Sequence, residues 1–338
     1  MTCIVVDAMG SDDHPVPDVV GAVMAAREYG VEIILVGDES KIKPVLAAQA
    51  AGALPIQIRH APETLTMEDK GEALTLKARH RDAQNSMAVG IDLVKNGQAD
   101  AFVTAGNTGA AMVTALFRLG RLRGVDRPAV APIFPTSTGS CVVLDVGANP
   151  DCKPENLLQF AIMGSVYAER VRGVKNPRVG LISNGEEEGK GNELVRAAAP
   201  LFRSSGLNYY GNVEGKEVIG GEVDVAVADG FVGNVMLKTA EAVGRLILEQ
   251  VKASIKEGGP LVMLGGLLVK PALGRIKNLL DPSEQGAAVL LGVNGLVFIG
   301  HGRSDARAIQ SAVRQARDAA RADVLGAMRS AIENSLKA

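Results

Sequence analysis

Two stretches of this chain combine glycine, amide and hydroxyl side chains in an order suited to holding an anion. In "ADAFVTAGNTGAAMV" an apolar run stops at Gly106-Asn107-Thr108-Gly109, and a helical run of small residues follows. A turn that opens a helix leaves its first backbone N–H groups without intrahelical acceptors, and the helix dipole adds positive potential there. Phosphate-like groups bind readily at such an end. "VDVAVADGFVGNVML" echoes the pattern, with Asp100/Asp224, Val103/Val227, Gly106/Gly230, Gly109/Gly233 and Met112/Met236 in matching places. Chance similarity between strand–turn–helix units explains this as readily as function does. As a functional pair, the two turns would aim two helix N-termini at one anionic ligand.

The first turn contains no lysine, so a cation must arrive from another strand end. Lys190, in "NGEEEGKGN", and Lys238, one turn beyond Asn234, are candidates, and each also has a plain reading as a solvated charge. Asn184, Asn192 and Asn234 offer uncharged donors of the kind that stabilise a developing oxyanion. Asp229 closes a strand, where it could orient a donor or accept a proton. His14 could do general acid–base work, although a lone histidine beside Pro15 is as often an incidental loop residue. No G-x-G-x-x-G follows a strand and no G-x-x-x-x-G-K-[ST] occurs, which disfavours nucleotide cofactors. His14, His60, His80 and His301 show no metal-ligand spacing, and no serine or cysteine sits in a nucleophile signature. The residues describe anion binding without a cofactor, a metal or a covalent enzyme intermediate.

Such loops need a rigid frame. Apolar, β-branched runs at Ile4–Val6, Ile33–Val36, Ala101–Thr104, Cys141–Val146, Val179–Ser183 and Val223–Ala228 alternate with helical stretches such as Asp18–Tyr29, Lys41–Ala50, Ser86–Lys95 and Gly109–Leu119. Strands apolar throughout suit a parallel sheet covered on both faces, so the rhythm predicts a doubly wound α/β fold. The strand ends "VDAMGSDDHP", "LVGDES", "VTAGNTGA", "LDVGANPD", "ISNGEEEGKGN" and "VADGFVGN" collect glycine, asparagine and aspartate on one edge. Ligands of open α/β sheets bind at that edge, although short connecting loops need such residues in any case. The whole chain, 1–338, is expected to form a single α/β catalytic domain.

Two segments depart from the rhythm. After Gly233 a long amphipathic helix is expected to end at Gly258, followed by the uncharged run Pro260–Val269 and then Lys270, Arg275 and Lys277. This excursion, at about 240–282, is too short in its apolar part to span a bilayer and long enough to lie in its surface; a core helix or dimer contact is the plain alternative. From Ser304, read as an N-cap, to Leu336 the stripe Ile309, Val313, Ala316, Ala320, Val324, Met328 and Ile332 predicts a structural helical segment at about 304–336. A net charge of −2 and no tryptophan argue against nucleic acid as a partner. Three cysteines at no regular spacing suit a reducing compartment, and no signal peptide is visible, so a cytoplasmic protein is expected.

Taken together, "VVDAMGSDDHP", "VTAGNTGA", "RPAVAPIFPT", "LDVGANPDCKPENLLQFAIMG", "PRVGLISNGEEEGKGN", "GNVEGKE", "DGFVGNVMLKTAE" and "FIGHGRSD" closely resemble, in order, the phosphate acyltransferases of bacterial phospholipid synthesis. The resemblance runs from about Val5 to Ser304. It implies a Rossmann-like α/β/α sandwich similar to isopropylmalate dehydrogenases and phosphotransacetylases. It also implies long-chain acyl transfer from acyl-carrier protein to inorganic phosphate, with the acyl phosphate passed to a membrane glycerol-3-phosphate acyltransferase. A homodimer associated peripherally with the inner face of the cell membrane is implied too, the apolar tip Leu261, Val262, Leu264, Leu267 and Leu268 making the contact.

On that reading phosphate is itself the nucleophile, and the protein positions it and stabilises the thioester oxyanion. Gly106, Asn107, Thr108 and Gly109, with Gly230 and Gly233, would cradle phosphate; Lys190 would be the charge partner, Asn184 and Asn234 donors, Asp229 an orienter and His14 an acid–base group. Arg118, Arg121, Arg123 and Arg127 would favour an acidic carrier. Two places depart from the pattern: Ser11-Asp12 stands where glycine and an acid are usual, and Ser183-Asn184 shifts an expected amide by one position. A phosphotransacetylase of short acyl-coenzyme A and a non-catalytic membrane scaffold are the competing readings.

Overall fold

The strands divide between two sheets in the computed structural model, which describes residues 1–66, 69, 71–80, 83–280 and 286–336. The larger sheet holds β1 (Cys3–Asp7), β2 (Glu32–Gly37), β3 (Ile56–His60), β4 (Ala101–Thr104), β5 (Ala129–Ala131), β11 (Ala288–Leu291) and β12 (Leu296–Ile299) in the order β3-β2-β1-β4-β12-β11-β5. From β3 to β12 the pairing is parallel, and β11 and β5 add an antiparallel edge. The smaller sheet runs β6 (Ile133–Thr136), β7 (Gly139–Leu144), β10 (Val225–Val227), β8 (Val179–Ile182), β9 (Tyr209–Val213), parallel except for β6. The runs expected to be buried on both faces are so: β1 residues Ile4 to Val6, all of β4, all of β8 and all of β10 are buried.

Helices α1 (Val16–Tyr29), α2 (Glu39–Ala48), α3 (Gly71–Arg79), α4 (Ser86–Lys95) and α5 (Thr108–Leu119) serve the larger sheet. The smaller sheet carries α6 (Pro154–Arg172), α7 (Glu193–Ser204) and α8 (Gly215–Gly220). α9 (Gly230–Glu257) stops at Gly258, as the sequence predicts, and α10 (Gly259–Leu280) packs back along it as a helical hairpin. Only Gly230 and Gly233 of α9 are buried, so the hairpin stands out from the body as an arm.

The C-terminal stripe is confirmed but its helix is broken. α11 (Ala306–Arg321) lies on α1, β4 and β12, whereas α12 (Val324–Ser335) lies on α6. Asp323, in the left-handed region at φ 48°, ends the first and caps the second by accepting from the Gly326 N–H at 3.2 Å. Ser304 is not the N-cap; Asp305 is, accepting from Ala308 N–H at 2.9 Å. One apolar cluster runs through both sheets, from Ile4 and Val103 to Leu144, Leu181 and Val225, and includes Val313 of α11 and Met328 of α12.

Candidate active site

Asp7, at the end of β1, is almost fully buried and accepts from the Thr104 hydroxyl at 2.8 Å and the Met9 N–H at 3.1 Å. Burial pushes its carboxyl up, and these hydrogen bonds oppose the shift. Thr104 Oγ1 in turn accepts the Gly106 N–H at 3.0 Å, so a buried acid shapes the turn through a single hydroxyl. Gly10 presses on the same turn: a Cβ there would lie 2.9 Å from the nitrogens of both Ala105 and Gly106.

Asn107 is the N-cap of α5, its side-chain oxygen accepting from Ala110 N–H at 3.0 Å, while its amide nitrogen reaches the carbonyls of Thr66 and Asp69, both at 3.4 Å. The Gly106 N–H is spent on Thr104, so the cradle differs from the expected four residues. Thr108 and Gly109, the first two helical positions, are exposed and have no intrahelical acceptor by helix geometry.

The smaller sheet repeats the plan. Asp145, just beyond β7, accepts from Val130 N–H at 3.0 Å, Ala148 N–H at 3.2 Å, Asn149 N–H at 2.7 Å and the Asn149 amide at 2.9 Å. Burial raises this carboxyl as well. Because Val130 belongs to β5, the same carboxylate fastens the smaller sheet to the edge of the larger. Gly230 and Gly233 do not offer their N–H groups to a ligand; these donate to Asn149 O at 2.8 Å and Asp229 O at 3.0 Å. They are glycines because α9 starts against backbone. A Cβ at Gly233 would lie 1.9 Å from Asp145 O, and one at Gly230 2.8 Å from Asn149 N. Asp229 caps α9, accepting from Val232 N–H at 2.8 Å, which orients the helix end and occupies one carboxylate oxygen. Asn234 is exposed beside Gly147.

Lys190 stands exposed in the loop after β8, its stem lying over Gly185. Two of the glutamates that precede it are drawn elsewhere, Glu186 to Lys216 and Glu188 to Arg203. Asn184 closes that loop instead of facing the cleft as a free amide: its side-chain oxygen accepts from Gly191 N–H at 2.8 Å. His14 is exposed and donates from Nδ1 to the Ser11 carbonyl at 2.8 Å. Arg118, expected on a docking surface, is taken up by Asp92 and the His80 carbonyl. Burial chiefly pushes the thiols of Cys3 and Cys152 up to about 11.

A connection the motifs alone do not reveal crosses between the sheets. Gly300 N–H donates to Thr104 O at 2.7 Å, which sets the loop after β12 beside the α5 turn. His301 in that loop lies 3.5 Å, through Nε2, from Glu241 of α9, and Glu241 also holds Lys238 at 3.0 Å. The sequence offered only a local signal for it, the "GHG" of "FIGHGRSD"; the partner lies sixty positions upstream and no local pattern points to it.

Two Rossmann-like lobes, with glycine turns and buried acids at their strand ends, define a doubly wound α/β sandwich. The chain belongs to the fatty acid synthesis protein family, whose model matches residues 2–326, and it is an acyltransferase. It is 49% identical over 325 residues to a protein of Acidobacterium capsulatum named Phosphate acyltransferase, covering 96% of this chain and 95% of the relative. A relative of the same name from Anaeromyxobacter is 50% identical, covering 94% and 88%. Among solved structures the fold is similar to the EutD phosphotransacetylase of Staphylococcus aureus, with TM-score 0.61, 17% identity and coverage of 95% and 94%.

Proposed function

We propose that this enzyme moves a long-chain acyl group from acyl-carrier protein to inorganic phosphate, without a covalent enzyme intermediate. The observation that carries the reading is the exposed start of α5, held open by the buried Asp7–Thr104 relay in a chain whose relatives are named for acyl transfer to phosphate. The N–H groups of Thr108 and Gly109 orient phosphate, and Lys190 supplies charge from the second lobe. The Asn234 amide, exposed in the first turns of α9, faces the thioester oxygen as negative charge develops on it. Phosphate, once oriented, attacks directly, so the protein's contribution is positioning and electrostatic stabilisation.

The product leaves toward a membrane, where a glycerol-3-phosphate acyltransferase would consume it. Support for a membrane contact comes from the arm: Leu261 is 82% and Leu268 78% exposed, with Val262, Leu264 and Leu267 exposed beside them. Lys270 follows, and the side chains of Arg275 and Lys277 lie outside those described. Among the described residues no helix is long and apolar enough to cross a membrane. Nearer the body, Val243, Leu246 and Ile247 form a second exposed apolar stripe on α9, suited to a second copy of the chain. We therefore read the protein as a cytoplasmic homodimer bound to the membrane surface.

The deciding experiment measures thiol release from long-chain acyl-carrier protein with and without phosphate, trapping product with hydroxylamine. Phosphate-dependent release and a trapped hydroxamate are expected. Release from short acyl-coenzyme A alone would make the enzyme a phosphotransacetylase, and silence with both donors would leave a membrane scaffold.

A further inference from the structure

Expulsion of an alkyl thiolate from a tetrahedral intermediate is helped by a proton, and the groups assigned above are mostly unsuited to supply one. Asp229 is a helix cap, Asp7 and Asp145 are buried beneath the turns, and the Nδ1 of His14 is bound to the Ser11 carbonyl within its own loop. His301 is placed differently. Its loop is pinned to Thr104 beside the phosphate turn, its side chain is 54% exposed, and Glu241 approaches from the opposite lobe at 3.5 Å. Glu241 is itself only 25% exposed and is held from its other oxygen by Lys238. A carboxylate beside Nε2 orients the imidazole and leaves Nδ1 as the working nitrogen. Contacts of this kind tighten when substrate closes the cleft around them.

We infer that His301 is the proton carrier of the reaction and that Glu241 is its positioning residue. The inference rests on acyl transfer to phosphate as proposed above. As a phosphate oxygen bonds to the thioester carbon and the C–S bond breaks, Nδ1 of the imidazolium gives its proton to the departing sulfur. The hydroxyl proton of the attacking hydrogen phosphate then returns to the ring. Hydrogen phosphate and thioester thus become acyl phosphate and free thiol, with the histidine restored and no further reactant needed. Because His301 and Glu241 come from different lobes, the proton carrier is complete only when the cleft is correctly closed.

The test compares His301→Gln and Glu241→Gln with the parent enzyme on two thioesters of the same acyl chain. One is carried by acyl-carrier protein and leaves as an alkyl thiolate; the other is an S-phenyl thioester, whose aryl thiolate leaves unaided. Acyl phosphate is read by hydroxylamine trapping, and folding of each variant by its melting temperature. His301→Gln is expected to lower kcat on the carrier thioester about 100- to 1000-fold and on the aryl thioester less than about threefold. Glu241→Gln should show the same selectivity with a smaller loss. Equal losses on both thioesters, or no loss on either, would overturn the assignment. Failure of the parent enzyme to form acyl phosphate from either thioester would instead overturn the proposed reaction.

Discussion

Asp18 shows what a single side chain contributes here. It is fully buried at the start of α1, accepts from the Ser11 hydroxyl at 2.6 Å, and has its second oxygen buried without a partner. The Ser11 hydroxyl is the side-chain donor to this acid. Burial raises the Asp18 carboxyl to about 7. A group whose folded value lies above its unfolded one stabilises the fold fully below the unfolded value, and that contribution disappears as pH rises through the folded one. Stability should therefore fall between about pH 4 and pH 7 by up to about 1.4 kcal/mol per pH unit from this residue. Asp18→Asn, which mimics the neutral acid, should melt higher than the parent at pH 8 and level with it at pH 4. Thermal melts across that range check this, and a constant difference would contradict it.

At the scale of elements, the decisive features are where α9 begins and how far it extends. Its first turn lies so close to the Asp145 carbonyl that a methyl group cannot enter. Gly233→Ala should displace the helix start, lower activity at least about tenfold and destabilise the protein by roughly 1–3 kcal/mol, the usual cost of overpacking. Urea unfolding and the hydroxamate assay would measure both. At the far end, Leu261→Asp with Leu268→Asp removes the most exposed apolar side chains of the tip without touching a packed one. The melting temperature should change by less than about 2 °C, because exposed substitutions rarely move stability by more than about 0.5 kcal/mol. Co-sedimentation with anionic vesicles should be lost; retained binding would place the membrane contact elsewhere.

For the whole molecule, the question is what keeps the two lobes in register. Links that span them include Asp145 to Val130, Asn149 to the Pro128 carbonyl, Gln159 to Asp126 and Gly124, the His301–Glu241 pair, and the C-terminal helices, α11 on the first lobe's helix layer and α12 on α6 of the second. The α12 contact is apolar, with Val324, Met328 and Ile332 essentially buried. Met328→Ala should cost about 2–5 kcal/mol, the range for emptying a packed site. Denaturant titration gives that figure directly. A loss below about 1 kcal/mol would show that α12 adds little to the lobe contact and that the other links suffice.

Six of the twelve described strands, the long helix ending at Gly258, the exposed apolar tip and the glycine turns were legible in the sequence because each rests on local physics. Buried strands read as apolar runs, helix ends as caps and glycines, and an exposed tip as an apolar run flanked by cations. Strands β3, β5, β6, β9, β11 and β12 were not legible, since three to five residues carry too little period. The roles of individual site residues divided the same way. That Gly106–Gly109 opens a helix follows from its own residues. That the Gly106, Gly230 and Gly233 N–H groups are already occupied, that Asn184 closes its own loop, and that Arg118 is paired with Asp92 depend on partners the local pattern does not name. The pairing of His301 with Glu241 is the clearest case. Sequence determines which residues are available at each strand end, because that depends on backbone conformation over a few positions. Only the tertiary structure decides which ends face one another, because the order of strands in a sheet is a long-range choice made by packing.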